Sequence, residues 1–382
     1  MAHATPRPEL LLLRGAHVWS PEPLGVQDVL VAGGRIAAIA PDLGPRPRAW
    51  VVDELDARGL DLTPGLIDAH AHITGGGGEG GAHTRVRPVE AESFFAAGVT
   101  TVIGLLGTDC TTRTVAENLA CARALEHFGL TALCYTGGYP VPPVTLTGSV
   151  RGDIVHLDRV VAVGEVAISD HRSSQPTFDE IVRIAADAHV AGMMTGKAGL
   201  LHLHLGDGPR ALEMVFAALE RTELPARTFH PTHCNRNRAL WAEAMELGAR
   251  GGFVDVTAFP DDDSAAADIA AWLDAGLDPS HITLTTDAGG CLPVFDADGV
   301  LLHMDVGTSA TMPRTLAALG SLGVPFERAL SCCTRNVAEL FRLRGKGELR
   351  VGADADLTLM DASRAVCGVI TRGQWRKRPA GR

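Results

Sequence analysis

Two histidines one residue apart, His70 and His72, follow the apolar run Leu66-Ile67-Asp68-Ala69. On a strand, residues two apart point to one side, so both imidazoles address one place. A pair of neutral imidazoles is half of a site for a borderline metal, and zinc is the commonest occupant. The other ligand types follow downstream: Glu165 after Val163-Gly164, His204 in Leu203-His204-Leu205-Gly206-Asp207, His233 in His230-Pro231-Thr232-His233, and Asp287 in Leu284-Thr285-Thr286-Asp287. A lone histidine is more simply a packed or surface residue. Four histidines with two carboxylates are ligand supply for two divalent metal ions. His83, His171, His202, His230 and His303 have no clear ligand position, and strand alternation points Cys234 away from the face of His233.

These ligands need a frame. Apolar, strand-like runs at 62–67, 100–106, 130–135, 160–168, 200–205, 227–230, 252–256 and 281–286 alternate with amphipathic stretches such as 115–128, 178–189, 209–219, 239–249 and 264–275. Eight strands alternating with helices predict an α/β chain folded as a (β/α)8 TIM-like barrel, whose chemistry sits at the C-terminal strand ends, where the ligands fall. Residues 10–18 and 29–39 are β-rich, with Gly33-Gly34 at a hairpin turn, and strand character returns at 347–349, 356–360 and 366–371. The termini are therefore expected to pair into one small β-sandwich, with 1–60 and 344–382 flanking a metal-dependent catalytic barrel at 61–343.

Composition removes several classes of function. The chain has 382 residues, 46% hydrophobic and 21% charged, with formal net charge −11. That charge and the lack of a basic stripe disfavour nucleic acid and anionic membranes as partners. Eight scattered cysteines without a Cys-x-x-Cys pair suit a reducing compartment. The leucine run at 10–13 is too short for a signal or a membrane span, so a cytoplasmic protein is expected.

His70-x-His72, Glu165, His204, His233 and Asp287, in this order, resemble the metal-dependent amidohydrolase superfamily. Longer runs resemble its isoaspartyl (beta-aspartyl) dipeptidases: Pro64-Gly65-Leu66-Ile67-Asp68-x-His70-x-His72, Gly75-Gly76-Gly77-Gly78-Glu79, Gly104-Leu105-Leu106-Gly107-Thr108-Asp109, Ile168-Ser169-Asp170-His171-Arg172-Ser173, Pro231-Thr232-His233-x-Asn235-Arg236-Asn237, and Lys346-Gly347-Glu348-Leu349 before Asp354-Ala355-Asp356-Leu357. The resemblance implies two zinc ions per subunit and a bridging hydroxide that attacks the isopeptide carbonyl. His70, His72 and Asp287 would hold one ion, His204 and His233 the other. It also implies a homo-oligomer, an octamer. The physical logic is independent of the family: two metals lower the pKa of a shared water and polarise the carbonyl, and Asp287 is placed to pass the water's proton to the leaving amine.

Two positions depart from the family pattern. Where the family bridges its metals with a carboxylated lysine, this chain has Glu165, one apparent extra residue and no lysine. Glutamate carries the same charge but reaches roughly 3–4 Å less far. The extra residue beside Gly164 suggests a bulge that pushes the backbone inward, so that Glu165 bridges the metals directly without carbon dioxide. Lys197, in Gly196-Lys197-Ala198-Gly199, reads as loop and is a distant rival for carboxylation. Second, Cys291 stands where the family has a substrate-contacting serine, and a thiol is the poorer donor.

An isoaspartyl dipeptide offers an ammonium and two carboxylates beside the scissile amide. Glu79, in a segment (75–81) that is glycine at six of seven positions, is the candidate for the ammonium. No lysine follows in Walker spacing, so that segment is not a phosphate cradle. Arg172 and Arg236 suit the carboxylates, Tyr139 the developing oxyanion, and Thr108 a further hydrogen bond. The alternatives are another amidohydrolase (an N-acyl-amino-acid deacylase, a dihydroorotase-like or a hydantoinase-like enzyme) and a metal-dead scaffold, against which the four histidines and Asp287 argue.

Overall fold

The middle of the chain supplies eight short strands, numbered here β1 (Leu66–Ala71), β2 (Val99–Gly104), β3 (Thr131–Thr136), β4 (Val160–Ile168), β5 (Leu201–Leu205), β6 (Phe229–Thr232), β7 (Val254–Thr257) and β8 (Ile282–Thr285). The computed structural model describes residues 10–381 except 48, 261–262 and 297–299; residues 1–9 and 382 of the expected terminal segments lie outside the described residues. Strands β1 to β6 form one curled parallel sheet in sequence order, and β7 pairs in parallel with β8. The pieces meet at both seams. Cys234 N–H donates to Asp255 O at 3.2 Å between β6 and β7, and Ala71 at the end of β1 bridges Ala288 just beyond β8. This is the ring of parallel strands expected of a TIM-like barrel, with its polar mouth at the C-terminal strand ends.

Helices cover the outside because their apolar residues recur at helical spacing. Phe178–Thr195 buries Ile181, Ile184, Ala185 and Ala188, starts in a Thr177–Glu180 capping box and stops at left-handed Gly196. Burying each isoleucine side chain contributes roughly 1.5–3 kcal/mol.

The two termini hydrogen-bond into one eight-stranded sheet. Its order is Gln374–Lys377, Val366–Thr371, Leu357–Met360, Asp61–Pro64, Leu10–Trp19, Pro23–Ala32 and Arg35–Ala40, with Val52–Asp56 parallel to the first half of Leu10–Trp19. Gly33 and Gly34, both at positive φ, make the expected hairpin turn. The pairing is that of a single sheet closed over its own apolar core, which includes Leu13, Val29, Leu62 and Leu357. One expected barrel strand, 62–67, is in fact two. Asp61–Pro64 belongs to the terminal sheet, so the first barrel strand begins at Leu66. Gly65 makes the break where a Cβ would lie 2.1 Å from Thr100 Oγ1, and apolar residues on both sides hide it from a periodicity reading. Residues 347–349 form no strand, although Leu349 packs into the terminal core. An antiparallel hairpin, Cys291–Phe295 with Leu301–Val306, follows β8 and was not foreseen.

Candidate metal centre

The expected ligands arrive at the barrel mouth on five strands or on the turns that follow them. His70, Glu165 and His204 lie on β1, β4 and β5; His72, His233 and Asp287 follow β1, β6 and β8, and all six are buried. His233 and Asp287 hold φ of 59° and 53°, a left-handed conformation that non-glycine residues adopt at a cost of order 1 kcal/mol. Asp68 fixes the β1 end by accepting from the hydroxyl of Thr286.

The bulge expected at Glu165 is present. Leu201 pairs with Val163 while Leu203 pairs with Val166, so β4 carries one residue more than β5 across this stretch. Gly164 is required there: its φ is 151°, and a Cβ would sit 2.6 Å from the His202 carbonyl oxygen. The extra residue delivers Glu165 to the centre. Its Oε2 lies 3.0 Å from His204 Nδ1, 3.2 Å from His233 Nε2 and 3.4 Å from His70 Nε2. Asp287 Oδ1 lies 3.1 Å from His72 Nε2 and 3.4 Å from His70 Nε2.

The donors are arranged for a cation. His70 Nε2 and Asp287 Oδ1 are buried without a hydrogen-bond partner among the described residues, a condition costing about 1–3 kcal/mol per group. Two groups of ligand atoms, each within 4.8 Å of one another, are His70 with His72 and Asp287, and His70 with Glu165 and His233. Burial alone would disfavour a charged His70, but the Glu165 and Asp287 carboxylates outweigh it and push the imidazole up to about 9. Burial works against ionised Glu165 as well, yet His70 and His204 hold it well below the usual carboxylate range. Burial instead dominates at His233 and keeps it down at about 3. The carboxylates that favour a proton on His70 favour a divalent cation in its place, with the bare nitrogen of a neutral ring such as His233 as a further donor.

His204 lies outside both donor groups. Its Nδ1 faces Glu165, its Nε2 is 2.9 Å from Asp170 Oδ2, and Tyr139 Oη is 2.9 Å from Nδ1. Asp170 was missed by the sequence reading. It binds Arg172 in bidentate fashion, at 3.0 Å to Nε and 2.7 Å to Nη2, and so ties His204 to that guanidinium; the only signal was its place two residues before Arg172. Lys197 is remote from the centre, donating to the carbonyls of Ile154 and Leu157. Cys234 points away, to Pro231 O, while His83, His171 and His303 are exposed. His202 and His230 lie fully buried one layer beneath His70.

A cavity of about 280 Å³ opens over the donors, lined by Thr108, Tyr139, Arg172, Arg236 and Cys291 among others. Phe259, Pro260 and the hairpin residues Leu292 and Pro293 complete its wall, none of them foreseen. Arg236 is held by Nε donating to Leu205 O at 2.9 Å. Glu79 is not on the lining but stands behind it: its Oε1 accepts from the Cys291 thiol at 3.0 Å and lies 3.6 Å from Arg172 Nη1. Its Oε2 is buried with no hydrogen-bond partner among the described residues. Among those residues no helix is long and apolar enough to cross a membrane.

Comparison with known proteins bears on this arrangement. The family model described as "Amidohydrolase family" matches residues 62–376. A crystal structure of beta-aspartyl dipeptidase from Fervidobacterium islandicum AW-1, in complex with beta-Asp-Leu dipeptide, is 40% identical, with 98% of this chain and 97% of that chain covered and a TM-score of 0.94. An allantoinase of Rubrobacter xylanophilus is 26% identical over 88% of this chain and 82% of its own length. An adenine deaminase of Deinococcus radiodurans is 54% identical over 65 residues, which span 16% of this chain and 11% of that protein.

Proposed function

The chain belongs to the amidohydrolase family, a metal-dependent family of hydrolases, and we propose that it hydrolyses the β-linked isopeptide bond of isoaspartyl dipeptides with two zinc ions per subunit. The observation that carries this reading is the placement of Arg172 and Arg236 in one small cavity with the metal donors, with Glu79 immediately behind. Two guanidiniums and one carboxylate are the complement of a ligand with two carboxylates and one ammonium. The likeness to a beta-aspartyl dipeptidase over nearly the whole of both chains supports it.

Zinc bound by these donors supplies Lewis acidity and water that ionises near neutral pH. The protein's own groups do the rest. Glu165, whose Oε2 is shared by three histidines, joins the two sets of ligands in place of a carboxylated lysine. Asp287 accepts the proton of the attacking water and returns it to the leaving amine. The Tyr139 hydroxyl donates to the developing oxyanion, and burial, which keeps that phenol well above its ordinary value, preserves it as a donor. Thr108 adds a hydrogen bond to substrate. Cys291, spent on Glu79, replaces a direct serine contact and shifts the preferred side chain. The same reading makes the enzyme a cytoplasmic homo-oligomer, an octamer.

Assay of beta-Asp-Leu beside N-acetyl-amino acids and dihydroorotate tests the substrate. Turnover of the first alone is expected, and no turnover of any β-aspartyl peptide ends the reading in favour of another amidohydrolase activity. Metal analysis after purification without bicarbonate tests the bridge. Two zinc ions per chain are expected; one zinc, unchanged by Glu165→Ala, sinks it.

A further inference from the structure

Beneath the metal donors runs a chain of hydrogen bonds that touches neither the cavity nor the substrate groups. His70 Nδ1 is 2.8 Å from His202 Nε2, His202 Nδ1 is 3.0 Å from His230 Nδ1, and His230 Nε2 is 3.0 Å from Thr283 Oγ1. It ends at Asp255, whose Oδ1 lies 2.5 Å from Thr283 Oγ1 and whose Oδ2 lies 2.6 Å from Thr285 Oγ1 and 2.7 Å from Thr232 Oγ1. All of these residues are buried, and the five along the chain come one each from β1, β5, β6, β8 and β7.

The direction of every bond follows from counting protons. A carboxylate only accepts, so each threonine hydroxyl spends its single proton on Asp255. The other acceptor within reach of Thr283, Val254 O at 3.4 Å, is the weaker one and also leads away from His230. Thr283 Oγ1 can therefore only accept from His230, which must carry its hydrogen on Nε2. A neutral imidazole has one N–H, so His230 Nδ1 is bare and accepts from His202 Nδ1–H. His202 Nε2 is then bare in turn and accepts from His70 Nδ1–H. Both intermediate rings are fully buried and bond only to imidazoles and a hydroxyl, surroundings that favour the neutral ring.

We propose that Asp255, Thr283, His230 and His202 are positioning residues that fix His70 with its hydrogen on Nδ1 and so present the Nε2 lone pair to a divalent metal. The inference rests on the metal-centre reading and deepens it. The Nε2 atom so exposed is the one that faces Glu165 and Asp287 without a hydrogen-bond partner among the described residues. Metal-bound histidines commonly take their orientation from a carboxylate or carbonyl on the second nitrogen. Here the carboxylate stands on β7, and two further imidazoles relay its polarity across the barrel. Tyr135 holds the middle ring flat, stacked at 5.0 Å and 19° on His202 with its hydroxyl donating to Ala69 O.

Two measurements test this without using activity. Neutron diffraction from the perdeuterated wild type is expected to place single deuterons on His202 Nδ1 and His230 Nε2; a deuteron on His202 Nε2 or His230 Nδ1 overturns the proposed direction. Zinc affinity by chelator competition is expected to fall about 10–100-fold in Thr283→Val, which breaks the relay and keeps the shape. Unchanged affinity in that variant, beside a wild type that binds zinc, overturns this inference alone. A wild type that binds no divalent ion overturns the metal reading with it.

Discussion

Two layers of histidine stand one above the other in the barrel, built from the same residue type and equally buried, and they differ in what is left over. In the upper layer His70 Nε2, His72 Nδ1 and Asp287 Oδ1 have no hydrogen-bond partner among the described residues. In the lower layer both nitrogens of His202 and of His230 are bonded. A buried polar atom left unpaired costs about 1–3 kcal/mol, so the upper layer is held in an unfavourable state that a cation relieves. The lower layer is finished as it stands. Burial alone therefore does not mark a histidine that can take a ligand; a nitrogen without a partner does.

Removing the largest contribution of the upper layer is the sharpest test. Asp287→Asn keeps the shape but removes the carboxylate proposed to accept the proton and to hold the metal, and kcat/KM is expected to fall on the order of 10³-fold in steady-state assays. A loss below tenfold would place proton transfer elsewhere. Stripping the metal addresses the same layer as stability. With zinc at about 1,000 times its dissociation constant, binding adds about 4 kcal/mol, so chelation is expected to lower Tm and re-addition to restore it. A chelator-insensitive Tm would mean that the upper layer is as complete as the lower one.

The joint between the layers is Gly164. Gly164→Ala would set a Cβ 2.6 Å from the His202 carbonyl oxygen and 2.7 Å from its Cβ, pushing Glu165 and His202 apart. A stability loss of about 1–3 kcal/mol in denaturant titration is expected, with weaker zinc binding alongside. Unchanged zinc affinity would show that the bulge and the lower layer act separately.

What the sequence made legible was local. Alternation along β1 put His70 and His72 on one face, and one residue more than the amidohydrolase pattern, beside a glycine, announced the Glu165 bulge, which the pairing of Val163 and Val166 with β5 bears out. What it hid was the set of relations between strands. The partners of His202 are His70 and His230, and the carboxylate that orders them, Asp255, lies 53 positions beyond His202; no window along the chain contains the group. The Gly206-Asp207 signal correctly marked the end of β5 just past His204, and that same reasoning left His202 without a purpose. The break at Gly65 escaped because Leu62 and Leu66 are equally apolar while serving different cores. Asp170 escaped because the segment around it drew attention to Arg172.

The terminal sheet offers the control for the comparison, because its buried carboxylate is fully satisfied, as in the lower layer, but far from the chemistry. Asp28 accepts from Arg14 Nη1 at 2.6 Å, from Gly15 N–H at 2.9 Å and from Leu43 N–H at 3.1 Å. Burial works against its charge, but Arg14 and the two backbone donors prevail and hold it below the ordinary carboxylate value. A carboxyl whose folded pKa is depressed adds stability that is complete above its unfolded value, near 4, and is lost as the pH falls through the folded one. Asp28→Asn is therefore expected to cost about 2 kcal/mol in urea titration at pH 7. The gap to wild type should narrow below about pH 4, where the aspartate itself becomes protonated. Zinc affinity and kcat should not move, since satisfied polar groups stabilise the frame without presenting anything to a ligand. A change in either would mean that the terminal sheet reaches the metal centre and that its completeness is not structural alone.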